Sequence, residues 1–194
     1  VLIKQAMDNR ENILKIALEL FAAAGYDAVG VQEIVDRAEI TKPTLYHYFG
    51  SKRGLLDAIL EVNFGKLLED VLRSAEYKRD LPFTLAAVTR AVFEYAKKNT
   101  DFYRMQLAMC FSSPASETGQ AISAYNIKLI RILEDLFVKA SSDHGNMKGR
   151  QKRYAFTFLG AINNYITLYL SGYIKLNEES VYNAVHQYSH GIYS

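Results

Sequence analysis

The run Thr41-Lys42-Pro43-Thr44-Leu45-Tyr46-His47-Tyr48-Phe49-Gly50-Ser51-Lys52 constrains the fold more tightly than any other part of this 194-residue chain. The Thr41 hydroxyl can accept a backbone N–H from a helix that starts just after it. Pro43 sits in the first turn, where its missing N–H costs nothing and its fixed φ helps. Gly50 and Ser51 stop the helix after about two turns and start another. So short a helix holds too few apolar side chains to be a core element. Leu45 and Phe49, four apart, can anchor it inward, while Tyr48 falls between the faces. Lys42, Thr44, Tyr46 and His47 are left pointing outward. A stiff, anchored helix displaying a cation, a hydroxyl, a phenol and an imidazole suits phosphates and base edges in a DNA groove.

Upstream, Val31, Ile34, Val35 and Ala38 recur at helical spacing, and Glu39-Ile40 is a tight link to the Thr41 cap. Two short helices meeting at such a turn make a helix-turn-helix, whose second helix enters the major groove. Further supporting residues are Ile13, Ala17, Leu20-Phe21 and Gly25-Tyr26 before this unit, and Ser51-Lys52 with Leu55-Leu56 after it. Together the run from Arg10 to Leu60, about a quarter of the chain, resembles the N-terminal domain of the tetracycline-repressor (TetR) family of bacterial transcription regulators.

The resemblance implies an all-α protein. Residues 1–54 would form a three-helix helix-turn-helix DNA-binding domain, and residues 55–194 a helical ligand-binding and dimerisation domain. It implies a cytoplasmic homodimer that binds a palindromic operator in double-stranded DNA and acts as a repressor responsive to a largely apolar small molecule. An alternative is a ligand-independent DNA-binding or protein-interaction module of the same fold. In relatives, the positions matching Gln32, Lys42, Pro43, Thr44, Tyr46, His47 and Lys52 touch operator DNA. Three positions depart from the family pattern. Val29 and Gly30 stand where a hydroxyl residue commonly caps the helix and contacts phosphate. Glu39 replaces a turn glycine, which strains the backbone by roughly a kilocalorie per mole if φ is positive. Gly54 replaces the acidic residue that would complete a capping box with Ser51.

Along the chain, Asp8 or Asn9 is expected to cap a first helix ending at Gly25, with Ile13, Ile16, Ala17, Leu20, Phe21 and Ala24 inward. Val1 to Met7 read either as a DNA-contacting arm or as an added remnant. Ser51 caps a long helix carrying Leu56, Leu60, Phe64, Leu67 and Val71. A polar break at Lys78 to Pro82 precedes helices over about Phe83–Lys98 and Phe102–Phe111. Ser112 to Gly119 is then read as a loop, in which Ser113 can cap and Pro114 can take a first helical position, ahead of a helix that runs to about Ala140. Two more follow, from about Arg150 and over about Glu178–His190. No strand alternation and no internal repeat is present.

Bulk charge does not argue for DNA: residues 1–60 carry seven basic and eight acidic side chains. Attraction to phosphate must come from placement of Lys42, Lys52 and Arg53. The single cysteine, Cys110, excludes an internal disulfide and, with no adjacent cation, reads as buried core. From Tyr154 to Ile174 no side chain is charged, yet Asn163 and Asn164 near its middle oppose a membrane span. A soluble helix of this kind is buried on nearly all sides, and a second subunit is expected to cover one of them. Phe64, Tyr95, Tyr103, Met105, Met109, Tyr125, Phe156 and Asn163 are candidates to line an effector pocket, since phenols, thioethers and an amide among apolar groups suit a lipophilic ligand. The commoner fate of such side chains is plain core. His186 and His190 are four apart but lack a carboxylate or cysteine partner, so they read as surface or interface histidines and no metal or cofactor is expected. Lys148, Arg150, Lys152 and Arg153 read as a solvated face. With no paired nucleophile and base and no phosphate loop, the chain is not expected to be an enzyme.

Overall fold

A computed structural model describes the backbone of residues 2–191 and the side chains of residues 9–145 and 147–191. The described residues form α1 (Leu2–Ala24), α2 (Val31–Arg37), α3 (Lys42–Phe49), α4 (Lys52–Ser74), α5 (Leu81–Lys98), α6 (Thr100–Cys110), α7 (Glu117–Ala140), α8 (Gln151–Leu170) and α9 (Glu178–His190), without a strand.

Local chemistry sets most of the helix limits. Thr41, Asp80 and Asn177 accept backbone N–H groups at the starts of α3, α5 and α9, and Ser51 Oγ accepts Gly54 N–H at 2.9 Å at the start of α4. Gly25 and Gly50 end α1 and α3 at φ +84° and +71°, a left-handed geometry that glycine adopts without a side-chain clash.

Four expectations are corrected. The first helix does not start at Asp8 or Asn9: α1 begins at Leu2, because residues 2–7 contain no glycine or proline to stop it. The Asp8 side chain and Val1 lie outside the described residues. Ser113 and Pro114 do not open α7. Ser116 does, its Oγ accepting Gly119 N–H at 3.1 Å, while Ser113 belongs to the preceding turn. Ala24 is exposed rather than inward. Cys110 is also exposed, on the last turn of α6, with its thiol 3.9 Å from Gln106 Oε1.

The chain forms two compact units, residues 1–65 with 101–123 and residues 66–100 with 124–194. The first therefore includes α6 and the start of α7 beside the helix-turn-helix. Its core holds Ile13, Ala17, Phe21, Ile34, Leu45, Leu56 and Phe64, with Phe64 edge-on to Phe102 at 5.2 Å between ring centroids.

In the second unit α5, α8 and α9 pack on one another, and Arg90 on α5 grips Glu178 of α9 with two bonds of 2.7 and 2.6 Å. Phe137, Tyr154, Phe158 and Tyr188 form a ring cluster, in which the Tyr188 hydroxyl donates to the Tyr154 carbonyl at 2.9 Å. Helix α8, which carries most of the uncharged run, is not buried all round. Ala155, Phe158, Leu159, Ile162 and Ile166 face the core. A second stripe, including Ala161 and Leu168, lines a groove of about 950 Å³ with Leu85 and Tyr188, and Arg153 and His190 join its lining. A third stripe, Phe156, Gly160 and Thr167, is turned outward, with Phe156 51% exposed and Asn163 half-buried beside it.

Candidate nucleic-acid interface

The two short helices are held from beneath. Ile34, Val35 and Ala38 of the α2 segment and Leu45 of α3 are buried, and Arg10 of α1 lies over the Phe49 ring, 5.5 Å from its centroid. The α2–α3 turn passes through Glu39 at φ +54°, so the strain anticipated for a non-glycine residue there is present. Gly30 precedes α2 with extended backbone and no side-chain bond to the helix. Gly54 has a different reason. Ser51 N–H bonds the Phe49 carbonyl at 2.8 Å, folding that carbonyl back over the first turn of α4. A Cβ on Gly54 would lie 2.0 Å from the Phe49 oxygen. The missing capping-box carboxylate is thus excluded by the turn itself.

On this support Lys42, Pro43, Tyr46 and His47 are exposed, Tyr46 to 45%, and Thr44 is half-buried. Thr44 is doubly tied to Thr41: its N–H meets Thr41 Oγ at 3.4 Å and the two hydroxyls lie 2.9 Å apart. Gln32 is exposed on α2, its amide donating to Asp36 at 2.6 Å, which leaves its amide oxygen open to a donor. The α3 residues thus share one exposed helix, with Gln32 on the helix before it.

Lys52 is placed differently from the rest. It is half-buried, its ammonium donates to the Tyr26 carbonyl at 2.6 Å, and it sits 4.1 Å from the Tyr26 ring centroid. Burial pulls its pKa below the usual lysine value, against the opposing pull of Asp27 and Glu117. Tyr26 is itself buried, and its hydroxyl donates to Glu117 at 2.7 Å. Burial first, then that bond, push the phenol's pKa upward. Neither Tyr26 nor Glu117 was recognisable as part of the site from sequence. Tyr26 reads as a core aromatic after a helix-ending glycine, and Glu117 is 91 residues away, with no local pattern to join them.

The effector candidates divide between the units. Phe64, Tyr103, Met105 and Met109 are buried in the first. In the second, Tyr95 is buried, and Tyr125 and Asn163 are half-buried. Phe156, expected inward, faces out. None of the eight lines the α5–α8–α9 groove. Among the described residues no three or more His, Cys, Asp or Glu side chains could hold a metal ion, and no helix is long and apolar enough to cross a membrane.

A family model described as bacterial regulatory proteins, tetR family, matches residues 13–59. The transcriptional activator FasR of Mycolicibacterium smegmatis is 34% identical over 98 residues, which are 50% of this chain and 45% of that one, less than half the relative's length. Among solved structures, the TetR family regulator PfmR of Thermus thermophilus superposes with a TM-score of 0.74 at 23% identity, covering 94% of this chain and 99% of that one. FadR of Bacillus subtilis, solved with stearoyl-CoA, gives a TM-score of 0.78 at 20% identity, covering 94% and 98%. At these identities the likeness to the two structures is one of fold.

Proposed function

We propose that this chain, whose residues 13–59 match the model of the tetR family of bacterial regulatory proteins, is a cytoplasmic, homodimeric repressor of transcription of that family and reads a palindromic operator. The observation that carries this reading is α3, anchored through Leu45 and presenting Lys42, Tyr46 and His47 to solvent. Lys42, Thr44, Tyr46 and His47 would meet base edges and phosphates from the major groove, with Pro43 bringing the first turn close and Gln32 contacting the flank. Lys52 would meet a backbone phosphate. An ammonium has three donors, and the Tyr26 carbonyl takes one of them. A dimer would place its two α3 helices in half-sites about one helical turn or more apart.

Titration of labelled duplexes, selected by the protein from genomic fragments, tests this reading. Lys52→Ala should weaken binding to every duplex alike and lower the salt slope by about one. Thr44→Val should change which sequences are preferred. Parent-like behaviour by both variants would remove the assignment.

The effector is proposed to be largely apolar and to sit within one unit, against Phe64, Tyr103, Met105 and Met109 of the first or against Tyr95, Tyr125 and Asn163 of the second. The α5–α8–α9 groove is a further seat that demands no opening of the core. The stearoyl-CoA complex of FadR, on the same fold, supports that chemical class. An effector that binds one arrangement of α4 better than another shifts the protein away from operator. Operator affinity should then fall on effector addition while the protein stays dimeric in sedimentation. Equal effector affinity for free and DNA-bound protein would defeat this mechanism.

A further inference from the structure

We infer that Tyr26 and Glu117 are positioning residues for DNA binding: Glu117, at the first turn of α7, holds the Tyr26 phenol, and Tyr26 in turn holds the Lys52 ammonium where a phosphate can reach it. The inference rests on the reading of Lys52 as a phosphate contact.

Three observations support it. Tyr26 grips Lys52 twice, through its carbonyl at 2.6 Å and through its ring face at 4.1 Å. Without those contacts a lysine side chain has four rotatable bonds and samples many positions, and a cation confined beforehand loses less freedom on meeting its phosphate. The ring is itself oriented from both ends. Phe21 packs edge-on against it at 5.1 Å between centroids, and Glu117 accepts its hydroxyl at 2.7 Å. Finally, the phenol occupies a carboxylate that lies close enough to Lys52 to act on its charge. The same bond therefore steadies the platform and restrains a competitor for the ammonium. Among the described residues nothing comparable holds Lys42, which is exposed on α3. Lys52 is the pre-placed cation of the pair, and the residue at the far end of its support belongs to a helix that continues to Ala140.

The test uses the full chain and a labelled mixed-sequence duplex a few helical turns long, because a phosphate contact does not depend on sequence. Glu117→Ala and Glu117→Gln remove the same charge, but only glutamine keeps an oxygen to accept the phenol. Glu117→Gln should bind this duplex on the order of five-fold more tightly than Glu117→Ala, the effect of about one hydrogen bond. Tyr26→Phe, which keeps the ring and loses the donor, should bind more weakly than the parent by a similar factor. Both differences should vanish when Lys52→Ala is added, because a positioning residue has nothing left to position. A general loss of stability would instead persist in that background.

The inference is overturned if Glu117→Gln and Glu117→Ala bind alike, or if the Tyr26→Phe effect survives Lys52→Ala, while Lys52→Ala itself is weaker than the parent. Should Lys52→Ala bind as the parent does, the phosphate reading fails first and takes this one with it.

Discussion

Glu39 carries a backbone conformation that few side chains adopt. At φ +54° its Cβ crowds the neighbouring backbone, and the turn it occupies sets the angle between α2 and α3. Replacing it with glycine removes the crowding, at the cost of a more flexible unfolded chain. The first effect is the larger, so Glu39→Gly should stabilise the protein by about 0.5–1 kcal/mol. Thermal unfolding would register this as a rise of a few degrees, and a lower midpoint would show that the turn is not strained. Cys110 teaches a related lesson at the same scale. Its neighbours in sequence suggested a buried thiol, but a residue at the end of a helix lies wherever the last turn happens to point. The periodic pattern that places Phe102 and Met109 inward has no further turn to constrain it.

Among the elements, the junction of α3 and α4 matters most for DNA reading, because it joins the exposed helix to the long one. Ser51 caps α4, and the Phe49 carbonyl folds over its first turn. Gly54→Ala would force a Cβ to within 2.0 Å of a backbone oxygen. That contact cannot be relieved by a side-chain rotation, so α3 must shift against α4. A loss of about 1–3 kcal/mol in unfolding free energy is expected, together with weaker binding to all duplexes. Unchanged melting would mean that the junction is looser than the geometry indicates. Element limits were legible wherever the signal was local: Thr41 with Pro43 and Gly50 with Ser51 each act within one turn. The start of α7 was misread because Ser113 and Ser116 both offer a capping hydroxyl. The choice between them depends on the turn that carries Ser113.

For the whole molecule, α8 bears an outward face of Phe156, Gly160 and Thr167 without a charge, which we assign to the partner in the proposed dimer. A charge there should keep two copies apart while leaving each folded, since the face is not part of the protomer core. Phe156→Arg with Gly160→Arg is expected to sediment as a monomer. It should also lose most operator affinity, because two linked half-site contacts reinforce each other far beyond either alone. A variant that remains dimeric would assign the interface elsewhere.

Short-range chemistry determined a great deal by itself. Helix periodicity, caps and helix-ending glycines lie within a few residues of one another, so the sequence revealed the helical class, the helix-turn-helix and the outward residues of α3. Only the tertiary structure decided that α6 and the start of α7 cluster with the first unit, that α8 has three different faces, and that Lys52 is held by Tyr26 and, through it, by Glu117. Those outcomes depend on which distant surfaces meet when the core closes. A contact spanning 91 residues leaves no repeat or spacing in the chain from which it could be read.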